Sequence, residues 1–448
     1  MRKGIVLVIV GLLITVTAQA QEAAGGEKIS LQEAIDIALE NNYQLKVAKN
    51  NLELSDKQIR SEKADYLPSL NASMSGSKRV GRNFNQDLGR IVTDATNSFG
   101  GNVSAGLPLF SGFENLHSLK SSRYDKQSEE QNVERVRENI IFDAAYNYLQ
   151  YILDQKVLEI DRENLAASRK TLEQVRAQVE VGSRPKVDLY DQESTVANDE
   201  LAVVNSENQL ESSRLQLIQT LQIDPRKNYE FVTPEIDTQS VQTTTYDLDQ
   251  LISTALENRA DLKREQFSIQ SIKHQLSATK GSLYPSLSFD ASLGSSYSDG
   301  IPFSFQDQFF DQNIQRSYGL SLSIPIFSNL SRSTNVQSQE IQYKNAQLNL
   351  RETELQIVQD VTQAYNDYKS YFKELESSEK ALRAAERSYQ TQKQRYEVGA
   401  GTLIELSDAN ARYVEAQSNR AQALFRLIFQ QQLLDYYIGK LDQNISLN

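Results

Sequence analysis

Hydrophobic and polar positions change period along this chain, and the changes come in the same order twice. Leu31, Ala34, Ile35, Ala38, Leu45, Ala48, Leu52 and Ile59 keep the spacing of one helical face. Ser30 followed by Glu33 forms a capping box at its start, and the pattern fades near Ala64, ahead of Pro68. From Leu70 the period is two. Leu70, Ala72 and Met74 alternate with Asn71, Ser73 and Ser75, and Phe99, Gly101, Val103, Ala105 and Leu107 alternate with small or polar residues. Helical spacing then returns over 113–179, with Leu158, Leu165, Leu172 and Val179 spaced by seven. A turn at Val181-Gly182-Ser183-Arg184-Pro185 follows: Gly closes one helix and Pro opens the next. The returning helix repeats by seven at Leu189, Val196, Val203, Leu210 and Leu217.

The second half does the same at a constant offset. Pro68 returns as Pro285, Pro108 as Pro325 and Gly182 as Gly399, each 217 residues on. A helix runs from Leu248 to about Ala278. Leu287, Phe289, Ala291 and Leu293 alternate with Ser288, Asp290, Ser292 and Gly294, and Leu320, Leu322 and Ile324 alternate with Gly319, Ser321 and Ser323. A long helix spans Leu330 to Tyr396, a turn lies at Val398-Gly399-Ala400-Gly401, and a return runs from Leu403 to about Tyr437. The expected organisation is a segment over 1–20, a first repeat over 21–222, an inter-repeat segment over 223–247, a second repeat over 248–441 and a tail over 442–448.

Four strands of about ten residues, apolar on one face and small-polar on the other, have the pattern of outer-membrane barrel strands. A half-buried soluble sheet is the competing reading. Tyr66, Phe110, Phe113, Tyr284, Tyr318 and Phe327 near the strand ends suit an interfacial girdle. Four strands cannot close around a lumen, and open edges are not tolerated in lipid. Copies must therefore combine, and three copies give twelve strands. The stretches Ser77–Ser98 and Ser295–Ser317 read as polar loops. The second carries Tyr297, Phe303, Phe305, Phe309 and Phe310, suited to plugging a lumen, packing between subunits, touching lipopolysaccharide or packing within the loop.

The helix lengths fit one another. A helix of about 67 residues is roughly 100 Å long, and the shorter opening and returning helices laid end to end reach about 105 Å. Two short helices therefore stack in line beside one long one. The segment Asp224–Asp247 lies where they meet, as a belt around the middle.

Composition narrows the class. Arg2 and Lys3, the apolar run Ile5–Val16 and Ala18-Gln19-Ala20 read as a secretory signal; the run is short for a membrane-anchoring helix. Removing residues 1–20 moves the formal charge from −12 to −14, because only Arg2 and Lys3 are lost. Such acidity argues against nucleic-acid partners. Cys is absent, which excludes disulfides and thiolate metal sites, and His117 and His274, the only histidines, read as surface residues. Hydrophobic content of 39% with a mean hydropathy of −0.52 is low for a compact globule of this length and fits an elongated, doubly wetted tube. No P-loop, metal-ligand cluster or nucleophile–base set is present, so neither a catalyst nor a cofactor is expected.

With Leu107-Pro108-Leu109-Phe110, Ile324-Pro325-Ile326-Phe327 and the two Gly turns, the chain resembles the TolC-like outer membrane efflux protein family over Ile29 to about Leu441. The resemblance implies a mainly α fold with a membrane β-barrel: a homotrimer with a twelve-stranded barrel, four strands per chain, and a periplasmic tunnel of long coiled-coil helices. It implies an exit duct for drug efflux pumps or type I secretion, working with a periplasmic adaptor (membrane fusion) protein and an inner-membrane transporter. It also implies a gate at the periplasmic end. Tyr396 falls on a gate tyrosine, Glu405 and Asp408 on an acidic ring, and Asp188 on a gate aspartate. Gly401 stands where the family's best-known member has an arginine that pairs with that aspartate; Arg184 and Lys186 are the substitutes at hand. Gly182, Ser183, Gly399, Ala400 and Gly401, at the far tips, are expected to dock the adaptor.

The residues themselves support the acidic positions less sharply. Asp188/Asp191 and Glu405/Asp408 are i,i+3 pairs at equivalent places, and acids at a helix start are also explained by the helix dipole. A periplasmic coiled-coil scaffold would account for the heptads but not for four alternating strands. A general diffusion porin would need more strands per chain and no such helices.

Overall fold

The computed structural model describes residues 27–85, 89–233 and 246–441. The expected signal peptide, the tail over 442–448 and most of the Thr-rich inter-repeat stretch lie outside the described residues. The first half contains β1 (Glu27–Ile29), α1 (Leu31–Asn41), α2 (Tyr43–Ala64), β2 (Ser69–Asn85), β3 (Arg90–Phe110), α3 (Glu114–Glu180) and α4 (Lys186–Leu221). After β4 (Tyr229–Phe231) the second half runs α5 (Leu248–Asn258), α6 (Ala260–Gly281), β5 (Ser286–Ser298), one turn α7 (Phe305–Asp307), β6 (Gln315–Ser323), α8 (Ser331–Glu397) and α9 (Leu403–Tyr437). α3 and α8 each hold 67 residues, within a residue of the expected bounds. None of the described helices is long and apolar enough to cross a membrane.

Both opening helices start as expected and then break. The Ser30 hydroxyl accepts the Glu33 N–H while the Glu33 carboxylate accepts the Ser30 N–H at 2.7 Å. The expectation of one continuous helix fails at a single residue in each half. Asn42 sits at φ −57°, ψ 123° and Arg259 at φ −55°, ψ 125°. The Asn42 side chain accepts the N–H groups of Gln44 and Leu45, so it caps a new helix rather than continuing the old one. Arg259 is held by its side chain: the buried guanidinium contacts Asp261 in the first turn of α6 at 2.5 Å and Asp360 of α8 at 3.2 Å.

The sheet runs β2-β3-β5-β6, antiparallel throughout. The first expected loop is a correction. Ser77–Ser98 is mostly strand, with pairing continuing to Asn85 and Arg90. Val80 and Phe84 extend the outward apolar parity, but the intervening Lys78 and Arg82 disguise the alternation. The second loop is shorter than expected, because β5 reaches Ser298 and β6 begins at Gln315. Within one chain its aromatics pack on each other and on β3, while Phe303 and Phe310 stay exposed. Phe305 and Phe309 stack at 5.1 Å, and Phe309 lies on Phe99. Gln308, 1% exposed, ties the loop down by accepting the Ser298 N–H and donating to nearby carbonyls.

Chain direction changes from strand to helix through paired left-handed residues, Gly112-Phe113 and Asn329-Leu330, again 217 apart. At Gly112 the backbone passes so close to Gly281 that a Cβ would lie 2.3 Å from its carbonyl oxygen.

The main core sits at mid-height, where the short helices meet the long ones. Ile35, Tyr148, Leu217, Leu221, Ile357, Leu427 and Leu434 are nearly inaccessible there. β1 pairs with β4 in parallel, and the Tyr148 hydroxyl bonds the carbonyls of Ile29 (2.9 Å) and Val232 (2.5 Å), locking this short sheet to α3. Below it, Leu158 and Leu165 interlock with Val196 and Val203, flanked by Leu172 and Leu210, which is the heptad seam read from the sequence.

The Arg259 cluster gives a test. Burial alone would raise the Asp261 carboxyl; the hydrogen bond and charge of Arg259 outweigh it and hold Asp261 below the usual carboxylate range. A depressed folded value means that this stabilisation is present above the unfolded value of about pH 4 and is lost as pH falls through the folded one. Arg259→Ala strands two partly buried carboxylates and is expected to cost about 3–5 kcal/mol. Thermal unfolding in detergent from pH 7 to pH 3 should show the gap between variant and wild type closing below about pH 4; a constant gap would contradict the pairing.

Candidate functional site

Two regions combine the features that the sequence singled out: the sheet and the far helical tips. Register sorts the sheet into two chemically distinct faces. One rung carries Leu70, Ala105, Ala291 and Tyr318, and another on the same face carries Ala72, Val103, Leu293 and Arg316. The opposite face carries Asn71, Ser104, Ser292 and Ser317 on one rung and Ser69, Gly106, Asp290 and Gly319 on the next. Leu70, Met74, Tyr318 and Leu320 are 74, 79, 80 and 67% exposed, so the apolar face is bare in a single chain. β2 and β6 are the outer strands, and neither is paired further among the described residues.

Asp290 was passed over in the sequence as one member of a small-polar alternation. Among the described residues it is the only formal charge on the polar face from Ser69 to Ser77. Its rung neighbours are Gly106 and Gly319, and the Ser288 hydroxyl donates to it at 2.8 Å. An acid among serines, asparagines and glycines was the available signal.

At the tips the two turns share one backbone. Gly182 and Gly399 both lie at φ 75°. Their N–H groups bond Val179 and Tyr396 carbonyls, and those of Ser183 and Ala400 bond Gln178 and Arg395 carbonyls, which makes two Schellman closures. A Cβ at either glycine would meet nothing within 4 Å, so the left-handed backbone alone selects glycine.

The next residues differ, and the difference redirects the acids. Thr402 caps α9, and Glu405 closes a capping box by accepting the Thr402 N–H at 3.0 Å. That backbone bond comes first among the causes that lower the Glu405 carboxyl. The same place in the first turn holds Pro185, which has no N–H to give. Asp188 is left free and pairs with Arg184 at 3.2 Å. Arg184 then lies over the ring of Tyr396, its guanidinium carbon 4.1 Å from the ring centre. Arg184, Asp188 and Tyr396 are thus brought together across the two hairpins. Glu405 is occupied with its own helix start, and Asp408 and Lys186 are exposed.

Tyr396 is 5% exposed and packs with Val175, Leu403 and Leu406. Burial raises its phenol; Arg184 opposes the shift and Asp188 adds to it. Its hydroxyl is buried with no hydrogen-bond partner among the described residues, as is the side-chain oxygen of Gln178, which the sequence did not flag. A latch through the hydroxyl is therefore not made within one chain; the ring makes the contact. Gly401, equivalent in position to Arg184, abuts Arg395: a Cβ there would lie 3.2 Å from the Arg395 Cβ. Arg395 in turn donates to the Ala400 carbonyl at 3.2 Å.

His117 and His274 are not the separate surface histidines expected. They meet across α3 and α6 with their Nδ1 atoms 3.1 Å apart, half-buried, and Tyr124 stacks on His274. Their separation of 157 positions along the chain hid the pairing. Burial lowers both, and Lys120 adds to the effect.

Substituting Gly399→Ala keeps the space but forces an L-residue into the left-handed region, which costs about 1–2 kcal/mol. Amide exchange around 394–404 should then quicken by roughly 5–30-fold, with the mid-height core unchanged. Unchanged exchange at the tip would contradict the strain argument.

Known proteins share this fold. The family model described as outer membrane efflux protein matches residues 34–221 and 251–440. The solvent efflux pump outer membrane protein SrpC of Pseudomonas putida is 24% identical over 323 residues, which is 70% of this chain and 64% of that protein's length. The channel-forming protein CusC has a TM-score of 0.80 at 18% identity, covering 91% of this chain and 92% of that one. The Campylobacter jejuni CmeC outer membrane channel has a TM-score of 0.80 at 17% identity, covering 93% and 87%. With both repeats matched, the chain belongs to the outer membrane efflux protein family.

Proposed function

We propose that three copies of this chain form a passive exit duct. It carries substrates delivered by an inner-membrane transporter and a periplasmic adaptor, in a drug efflux pump or a type I secretion system, to the outside. The observation that carries this is the two-faced sheet: a bare apolar face, a hydroxyl-lined face and two outer strands unpaired among the described residues, joined directly to helices of 67 residues. Such a sheet is stable in lipid only when its edges close on other copies, with the apolar face outward and the polar face around water. The name of SrpC as a solvent efflux pump outer membrane protein supports the same reading. A periplasmic scaffold would have no use for the apolar face.

The tips act as the gate. Repeated around an axis, the contact of Arg184 with Tyr396 holds each pair of hairpins together. Glu405 and Asp408 gather carboxylates near the constriction, where like charges focus cations. Planar-bilayer recording tests the duct and the gate together. Wild type is expected to give small cation-selective steps that multivalent cations block from the periplasmic side. Glu405→Ala with Asp408→Ala should relieve that block. Arg184→Ala should raise the resting conductance, and Tyr396→Phe, which keeps the ring, should leave it near wild type. No conductance at all from correctly assembled protein would contradict the duct. Equal block in the double variant would leave both acids as helix-start charges.

The adaptor meets the duct at the small-residue turns. Cysteines placed at Ser183 or Ala400 should cross-link to adaptor hairpin tips in intact cells. Lys substitutions at Gly182 or Gly399 should abolish export while copies still assemble. Cross-links confined to mid-height would move the docking site away from the turns.

A further inference from the structure

The segment between β5 and β6 carries more apolar surface than a turn in water needs. Ile301, Phe303, Phe305, Phe310 and Ile314 are 44, 52, 42, 61 and 39% exposed. Strand parity shows which face of the sheet it covers. Met74 belongs to the apolar face, and the register carries that face to Phe99 and Gly101 of β3 and to Ser295 and Tyr297 of β5. Phe309 lies over Gly101, where a Cβ would come 3.0 Å from its Cζ. The Phe309 carbonyl accepts the Ser295 hydroxyl at 2.5 Å. Phe305 packs on Phe99 and Tyr297, with ring centres 5.9 and 5.2 Å apart. The segment is therefore folded back over the apolar face, opposite the serines. We infer that it is a membrane-surface anchor: its phenylalanines meet the acyl chains of the outer leaflet at the headgroup boundary, and Lys78, Arg82 and Arg316 on the same face meet lipid phosphates. This rests on the duct proposed above, whose apolar face is turned to lipid.

The placement decides between the roles open to this segment. A plug would lie among Asn71, Ser104, Ser292 and Ser317, on the other face. A contact between copies would lie on the outer strands, whereas Phe309 and Phe305 cover β3 and β5 at the middle of the sheet. Packing within the segment occupies Phe305 and Phe309 and leaves Phe303 and Phe310 bare. The strands also show why a cover is needed here. The outward rung of Met74, Gly101 and Ser295 has one large apolar side chain in three. Phe309 fills the hollow over the other two and restores an apolar surface that the strands lack.

Irregular backbone beside lipid must satisfy its own polar groups. The Gln308 side chain accepts the Ser298 N–H at 3.0 Å and donates to the Ser298 and Phe303 carbonyls at 3.0 and 2.8 Å. The Asn313 side chain donates to the Ser296 carbonyl at 2.7 Å. Two of the acids are engaged as well: Asp307 accepts the Ser304 hydroxyl at 2.7 Å and Asp299 the Asn97 N–H at 2.8 Å. Asp311 is exposed. The cost of a carboxylate in hydrocarbon keeps the segment at the headgroup boundary, where aromatic rings are favoured. The cations agree with that level. Lys78 and Arg82 share the parity of Met74, Arg316 lies opposite Leu293 on the same face, and all three are exposed. At the usual rise and tilt Lys78 stands roughly 23 Å above Ser69, near the top of an apolar band of about 25 Å. Outward cations there complement phosphate.

The chain has no tryptophan, so a single one reports its own surroundings. Phe310→Trp, assembled and reconstituted in phosphatidylcholine bilayers, should lose most of its emission to lipid brominated near the glycerol and little to aqueous iodide. Met74→Trp, on the bare apolar face, should respond to the brominated lipid too, and Ser73→Trp, on the polar face, to iodide alone. Phe303→Trp repeats the test if Phe310→Trp misassembles. Brominated phosphatidic acid should quench Phe310→Trp more than brominated phosphatidylcholine at the same fraction, and Lys78→Gln with Arg82→Gln should remove that preference. Equal quenching by the two lipids overturns the phosphate contact. If Met74→Trp reads lipid while Phe310→Trp and Phe303→Trp are quenched by iodide, or by neither reagent, the anchor is overturned and the duct stands. If Met74→Trp is quenched by iodide as well, both fall.

Discussion

The fold depends on one constraint: backbone N–H and C=O groups cannot face hydrocarbon unpaired. A chain with four strands and two free edges, β2 and β6, cannot meet it alone. Pairing the edges with those of other copies satisfies the backbone and turns a modest sheet into the wall of a tube. Each second strand passes through two left-handed residues into a helix of 67 residues. The mid-height core, with Tyr148 bonded into β1 and the chain beyond β4, holds the stacked short helices against the long ones.

Where the repeats are alike they build the tube, and where they differ they define its end. The two tip turns share a backbone closure but not a helix cap. Pro185 cannot take part in a capping box, which frees Asp188 to hold Arg184 against Tyr396; Thr402 can, which occupies Glu405. A change of one capping residue thus decides which acid reaches across the hairpins. Gly401 and Arg184 occupy equivalent places, so the cation comes from the first turn and the second stays thin enough for Arg395 to fold over it.

Much of this was legible in the sequence because it is periodic. The seam of Leu158 and Leu165 against Val196 and Val203 follows from heptads, and the strand faces follow from alternation around Leu70 and Val103. What escaped was local or long-range. A one-residue break at Asn42 or Arg259 does not disturb apolar spacing on either side. Lys78 and Arg82 on the outward parity made a strand look like a loop. Histidines 157 residues apart give no sign that they meet. Arg184 was available as a latch only through the resemblance, and its contact with the Tyr396 ring comes from tertiary packing that no local pattern encodes.

The central claim is that one face of the sheet meets lipid and the other meets water. Single cysteines at each position from Leu70 to Ser75, labelled in intact outer membranes with a charged, water-soluble thiol reagent, test it directly. The chain's lack of native cysteine removes background. The account predicts strict alternation: Asn71, Ser73 and Ser75 positions label, while Leu70, Ala72 and Met74 positions are protected and take up a lipid-soluble reagent instead. Equal labelling of both sets would mean a sheet wetted on both faces, and would contradict the barrel on which everything else rests.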